Sequence, residues 1–289
     1  MAVDQGPVVQ SALLRAELVR LRKEKELTQE QVAHQLEWSS SKLIRIEGGK
    51  NSVSRTDLQA LLTLYGVTSP TRMERLQELA KGARQSAWWD GYRGEIADAY
   101  LSYVGLEAGA SVMRHFHGSA VHGLLQTRAY AEVLASGSVG PIILGTVVKL
   151  RLQRQQELAQ REDPPQQIFV LDEAVIRRHV GIKADVAIMP NQLRHIVKVV
   201  EENELITVRV IPFNAGAHMG MRGPFSLLEF EGGLSDALYL EGARDVSVLV
   251  TGDDPRIADY QDGFESLLDE SLSVEESLDL MRNVAEEMA

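Results

Sequence analysis

The stretch from Leu27 to Gly49 constrains this chain most. Thr28 can cap a helix, and Gln31 three residues later completes a capping-box pattern. Val32, Ala33 and Leu36 mark an inner face that ends within two turns, at Glu37-Trp38-Ser39. Ser39 or Ser40 can cap the next helix, which turns Leu43 and Ile46 inward and stops at Gly48-Gly49. Helices this short do not persist alone, so other elements must pack against them. Leu14, Leu18 and Leu21 supply a helical stripe before them, and Ser54 caps a helix over Leu58 to Tyr65 after them. Another helix runs from Pro70 to about Gln85, ahead of Trp88-Trp89, and reads as the last helix of the head or the connector out of it. The expected organisation is an all-α head over 1–69, a helical connector over 70–105 and a second domain over 106–289.

Two short helices joined by a tight corner are the layout of a helix-turn-helix, whose second helix enters the major groove of DNA. With Leu43 and Ile46 inward, Ser40, Ser41, Ile44 and Arg45 face outward as base-contacting candidates. Arginine can pair bidentately with guanine, serine donates and accepts, and Ile44 suits a thymine methyl. Gln29, Ser39, Lys42, Lys50, Asn51 and Arg55 are the phosphate-contacting candidates, which fix register without reading sequence. The net charge of -11 reads against nucleic acid until it is divided along the chain. Residues 1–85 hold 13 Lys/Arg against 10 Asp/Glu, a net +3, and the remainder holds 17 against 31, a net -14.

Leu27-Thr28-Gln29-Glu30-Gln31-Val32-Ala33 and Ser41-Lys42-Leu43-Ile44-Arg45-Ile46-Glu47-Gly48-Gly49-Lys50 closely resemble the Xre/Cro-type helix-turn-helix family, over about residues 12–66. The resemblance implies a DNA-binding head in which Arg22 pairs with Glu47 as a structural ion pair. Trp38, where that family often has a small aliphatic residue, and Ile44, often polar there, depart from its pattern.

The second part changes character. Helical stretches are expected over 124–127, 130–134 and Val147 to Arg161. Strand-like runs follow at Gln167–Leu171, Ile206–Ile211, Phe225–Glu231, Ala237–Leu240 and Val246–Val250. Between the first two strands lie helices over Glu173–His179, capped by Asp172, and over Pro190–Asn203, opening on proline. Two acidic helices close the chain, one after Asp254-Pro255 and one capped by Ser273 with Glu276. The fold class expected is therefore multi-domain, an all-α helix-turn-helix head followed by an α+β C-terminal domain with a small sheet.

His115, His117 and His122 lie close in sequence, but His-x-His on a helix points its side chains apart. They are read as surface or interface histidines, with no metal site. Neither a nucleophile elbow, a dinucleotide fingerprint nor a phosphate loop occurs, so no catalytic residue and no cofactor is expected. The loop from Asn214 to Pro224 stands out, with His218, Met219, Met221 and Arg222 as candidate ligand or partner contacts. Cysteine is absent, and no run approaches a membrane span, which together suit a cytoplasmic protein.

Trp88-Trp89, Tyr103-Val104-Gly105-Leu106-Glu107, Gly123-Leu124-Leu125-Gln126-Thr127, Val170-Leu171-Asp172-Glu173-Ala174 and Gly223-Pro224-Phe225 are similar to the actinobacterial WhiJ-like family. Its pattern usually has proline where this chain has His122. The resemblance implies a transcriptional regulator with an antitoxin-like C-terminal domain. The expected partners are a double-stranded DNA operator and a second copy in a homodimer, with a small protein or small-molecule effector as candidates. Two alternatives are an antitoxin-type protein that sequesters a small partner, and a histidine-metal hydrolase fused to a DNA-binding head.

Overall fold

The computed structural model describes residues 6–49, 51–137, 140–242 and 247–289. Lys50 and Val246, both named above, lie outside the described residues. The chain divides into two compact units, the first comprising Met1–Asp90 with Glu231–Leu234 and the second Gly91–Phe230 with Ser235–Ala289.

The first unit is all-helical: α1 (Gly6–Glu24), α2 (Gln29–Gln35), α3 (Ser40–Glu47), α4 (Arg55–Leu64) and α5 (Pro70–Gly82). Local chemistry sets most of these ends. Thr28 and Gln31 form the reciprocal capping box of α2, Ser54 caps α4 through the Asp57 amide, and Ser69 caps α5. Ser39 is the N-cap of α3 by conformation, but its hydroxyl bonds Ser41 at 3.2 Å rather than a free amide. Gly49 closes α3 in the left-handed region, with φ of 74°. A side chain there would collide with the Arg15 guanidinium. Leu14, Leu18, Leu21, Val32, Leu43, Ile46, Leu58, Leu61, Leu62, Tyr65, Leu76 and Ala80 form one buried core.

Leu76 and Ala80 correct the expected boundary. Helix α5 belongs to the head's core, not to a connector over 70–105, and the division falls after Asp90. Trp89 is buried and packs edge-to-face on Trp88 at 5.4 Å.

The second unit is a mixed six-stranded sheet between helical layers. In chain order it holds α6 (Asp98–Glu107), β1 (Val112–His117), α7 (Arg128–Ser136), α8 (Pro141–Ala159), β2 (Gln166–Asp172), α9 (Glu173–Arg177), α10 (Ile188–Glu202) and β3 (Ile206–Ile211). Then come β4 (Phe225–Glu229), β5 (Ala237–Leu240), β6 (Val248–Thr251), α11 (Pro255–Glu270) and α12 (Val274–Glu287). The strand order is β3-β2-β1-β4-β5-β6. β1, β2 and β3 run parallel, and β4 to β6 pair antiparallel from β1 outward. One face carries Phe169, Leu171, Val208 and Val210 against Leu193, Ile196, Met281 and Val284 of α10 and α12. The other carries Phe116, Val170, Phe225, Leu227 and Leu238 against Ile257, Phe264 and Leu267 of α11.

The central strand β1 is the main departure from the sequence reading, which has no strand there. Val112-Met113-Arg114-His115-Phe116-His117 carries no apolar alternation, and its strand state comes from ladders to β2 on one side and β4 on the other. Helix α8 begins at Pro141, one turn and more before Val147. Helix α10 begins at Ile188, so Pro190 is its third residue, still within the first turn, where no amide is needed.

The corner between α2 and α3 stores strain. Glu37 has φ of 55°, a conformation costly for a residue with a Cβ. Glycine there removes that strain and returns part of the gain as unfolded-state entropy. Glu37→Gly should therefore raise the head's stability by about 1 kcal/mol. Slower hydrogen exchange in α2 and α3 would show it; faster exchange would mean that the carboxylate holds the corner.

Candidate nucleic-acid interface and a buried polar cluster

Eight residues cannot hold α3 in place by themselves, and its last residue is anchored from two sides. Arg22 of α1 pairs bidentately with Glu47, Nε to Oε1 at 2.7 Å and Nη2 to Oε2 at 2.9 Å. The remaining guanidinium nitrogen donates to the Leu27 carbonyl at 2.8 Å, tying down the entry to α2. The ion pair implied by resemblance is present. Gln29 joins it, donating Nε2 to Glu47 Oε2 at 2.7 Å. Gln29, a phosphate-contacting candidate, thus uses one of its two side-chain N–H donors to hold α2 to α3. Burial pushes the Tyr65 phenol well up, and the nearby Glu47 carboxylate adds to the shift.

With Leu43 and Ile46 buried, Ser40, Ser41, Ile44 and Arg45 are all exposed on the opposite face of α3. Ile44 leaves 52% of its surface open, a large apolar residue with no place in the core. Arg45 is exposed and engaged in no ion pair among the described residues, as is Arg55 at the start of α4. Asn51 and Ser39 are exposed beside them. Lys42 is not free. Its ammonium meets Asp57 Oδ1 at 2.5 Å and stands 3.9 Å over the Trp38 ring.

In the second unit the sheet face under α6 and α8 is polar where β1, β4 and β5 cross it. His115, His117 and His122 are buried within the unit at 0%, 9% and 5% exposure, where surface or interface histidines were expected. On a strand, His115 and His117 share one face, where a helix would have parted them. The His115 ring stacks on His122 at 4.1 Å and on Phe169 at 4.8 Å, and its Nδ1 bonds the Ser226 hydroxyl at 2.8 Å. Tyr103 stacks on Tyr239 at 4.4 Å and donates to Glu107 at 3.1 Å. Glu107 holds the buried Arg154 through both oxygens, and Arg154 also reaches the Tyr100 hydroxyl at 2.6 Å. Burial alone disfavours a charged guanidinium, yet Glu107 outweighs it and keeps Arg154 well above its usual value.

The three imidazoles do not converge as metal ligands. Their rings stack, and among the described residues no three His, Asp or Glu side chains form a group able to hold an ion. His122 Nδ1 accepts the Leu124 amide, which places its proton on Nε2 and removes that nitrogen as a ligand. The sequence did carry a signal for this cluster, three histidines within eight residues, but nothing local showed that they turn inward.

The candidate loop between β3 and β4 divides. His218 is packed inward, with Nε2 at 3.2 Å from Asp172 Oδ2, while Asp172 Oδ1 caps α9 as expected. Met219 packs on the core beside α11, and a Cβ at Gly263 would strike it. Of the candidate ligand or partner contacts, His218 and Met219 therefore pack inward and anchor the loop. Met221, 73% exposed, and Arg222 remain outward, as does Phe213, which the sequence reading had not singled out.

Burial holds His115 and His122 well below the usual imidazole value of 6.5, and His117 below it. Above that value both folded and unfolded chains are neutral at these sites. As pH falls through 6.5 the unfolded chain takes up protons that the folded chain refuses, so stability is lost at up to about 1.4 kcal/mol per pH unit for each group. His122→Asn keeps an acceptor for the Leu124 amide and removes one titration. Its urea stability between about pH 5.5 and 6.5 should fall less steeply than wild type by about one proton. An identical slope would mean that His122 is protonated in the fold.

Residues 13–76 match a helix-turn-helix domain, a module that binds DNA, and residues 100–283 match the family described as Domain of unknown function (DUF5753). No curated protein and no solved structure matches the chain. No helix among the described residues is long and apolar enough to cross a membrane. The first match covers the helical head as far as α5, and the second runs from α6 into α12 over more than half of the sequence. The chain thus belongs to the DUF5753 family and carries a helix-turn-helix domain in its N-terminal unit.

Proposed function

We propose that this protein is a sequence-specific transcriptional regulator that reads the major groove of an operator with α3. The outward face of α3 carries the reading. Ser40, Ser41, Ile44 and Arg45 stand together in solvent on a helix locked from behind by Glu47, and an exposed isoleucine beside a free arginine suits base edges. Arg55, Asn51 and Ser39 flank that face at exposed positions and serve the phosphates, together with Lys50. In this reading the second unit binds and does not catalyse. The chain from residue 86 onward carries a net -14, which keeps the second unit off DNA, so the head alone enters the groove.

A head with a net +3 and one free arginine on its reading face grips DNA weakly. Useful affinity then needs two heads on paired half-sites, about 34 Å apart, which makes the functional unit a homodimer organised by the second unit. The similarity to WhiJ-like regulators supports a cytoplasmic regulator whose second unit takes a small protein partner or ligand. Met221, Arg222 and Phe213 are the exposed residues of its β3–β4 loop available for that contact.

Selection of bound duplexes from a random pool tests the reading, and a recurrent motif with twofold symmetry is the expected result. On that motif Arg45→Ala should cost about 1–3 kcal/mol and narrow the gap to unrelated DNA. Arg55→Ala should weaken all duplexes alike and lower the salt slope by about one unit. A pool that enriches no sequence would overturn the proposal.

A further inference from the structure

Lys42 occupies the flank of α3 that faces α4. Its ammonium lies 2.5 Å from Asp57, the third residue of α4, and rests on the Trp38 ring. About a third of the Lys42 side chain and a fifth of Asp57 stay open to solvent, at 33% and 19%. We infer that Lys42 is a phosphate-binding residue masked by Asp57, so that Asp57 sets the head's affinity for DNA of any sequence. The inference rests on the DNA-binding reading above.

The pair is poorly placed to serve as a structural tether. Ion pairs open to solvent add little to stability. Helices α3 and α4 are already joined through Leu43, Ile46, Leu58 and Leu61 in one buried core. What the pair does change is the field beside the reading face. An ammonium paired with a carboxylate is neutral at a distance, holds no phosphate and releases no counterion from DNA. The carboxylate, one turn from Ser54 at the start of α4, also repels a phosphate approaching that end of the helix. Trp38 gives the arrangement its direction. Its indole face attracts the ammonium whether or not Asp57 is charged, so Lys42 stays in place when the carboxylate is lost. Unmasking then presents a positioned cation, not a loose one.

The test uses the full chain and a fluorescein-labelled duplex of about 20 base pairs and arbitrary sequence, followed by anisotropy from roughly 50 to 300 mM potassium chloride. One added phosphate contact steepens the salt slope by about 0.9, equivalent to about eight-fold tighter binding near 0.1 M salt. Asp57→Asn should show both changes. Asp57→Ser, which suits the first turn of a helix, should repeat them should the asparagine variant fold poorly. The double variant Lys42→Met with Asp57→Asn should return close to wild type. Glu74→Gln removes one negative charge at an exposed position of α5 and should leave the slope unchanged. If Asp57→Asn binds like wild type, or no better than Glu74→Gln, the masking inference falls while DNA binding stands. If neither the wild type nor any variant binds the duplex even at the lowest salt, the DNA-binding reading falls and the inference with it.

Discussion

The bidentate pair between Arg22 and Glu47 is the interaction on which the geometry of the head depends. Three separate pieces of chain meet there: α1 supplies the guanidinium, α3 the carboxylate, and α2 the Gln29 amide. The third guanidinium nitrogen holds the Leu27 carbonyl, just before the cap of α2. Leu43 and Ile46 fix how deep α3 sits, but apolar contacts are non-directional and leave its rotation soft. A two-pronged bond at its final residue fixes rotation as well, and with it the direction in which Arg45 points. At 13% and 5% side-chain exposure the pair is largely desolvated, so losing one partner would strand the other's charge.

The second unit shows the opposite distribution of polar groups. Its sheet changes from parallel to antiparallel pairing at β1, and there the face turns from Phe169 and Leu171 to His115, His117, Ser226 and Tyr239. Arg154 and Glu107 meet this strip from the covering helices, and Tyr103 links them to it. Buried polar groups are costly unless partnered, and nearly all of these are partnered. His115 Nε2 is an exception, with no hydrogen-bond partner among the described residues. The cluster makes this half of the core exacting in shape and charge where the β2–β3 half is merely apolar.

What was legible in the sequence was what is decided locally. The capping boxes at Thr28–Gln31 and Ser273–Glu276 form because donor and acceptor are three residues apart, and both appear as read. The outward set of α3 follows from helical spacing once Leu43 and Ile46 are placed inward. The strand β1 was not legible, because Val112-Met113-Arg114-His115-Phe116-His117 has only Val112 and Phe116 as strand formers, shows no alternation, and owes its state to two neighbours distant in sequence. The same reason hid the Gln29–Glu47 and Lys42–Asp57 contacts. Each residue is a sound phosphate ligand by type, and only the meeting of helices shows where its hydrogen bonds go. The inward packing of His218 and Met219 was not legible because a glycine-rich loop gives no inside or outside face to count from.

These pairings bear on how a regulator of this construction would be controlled. Of the cations that the head could turn to DNA, Arg22 and Arg72 are bound to carboxylates of the head itself, as is Lys42. The reading face keeps one full positive charge, Arg45, beside two hydroxyls and an apolar side chain. Such a face discriminates between bases by contact geometry more than by long-range attraction, because bidentate and methyl contacts are short-ranged. In the dimer proposed above, affinity from a single head would stay low, and occupancy of a site would depend on whether two heads are presented together. A ligand or partner of the kind proposed for the second unit would need to change only that presentation, because linked weak binders gain or lose about 10²–10⁴ in avidity with geometry alone. Weak grip in the head is the property that, in the proposed regulator, would make control from a separate unit effective.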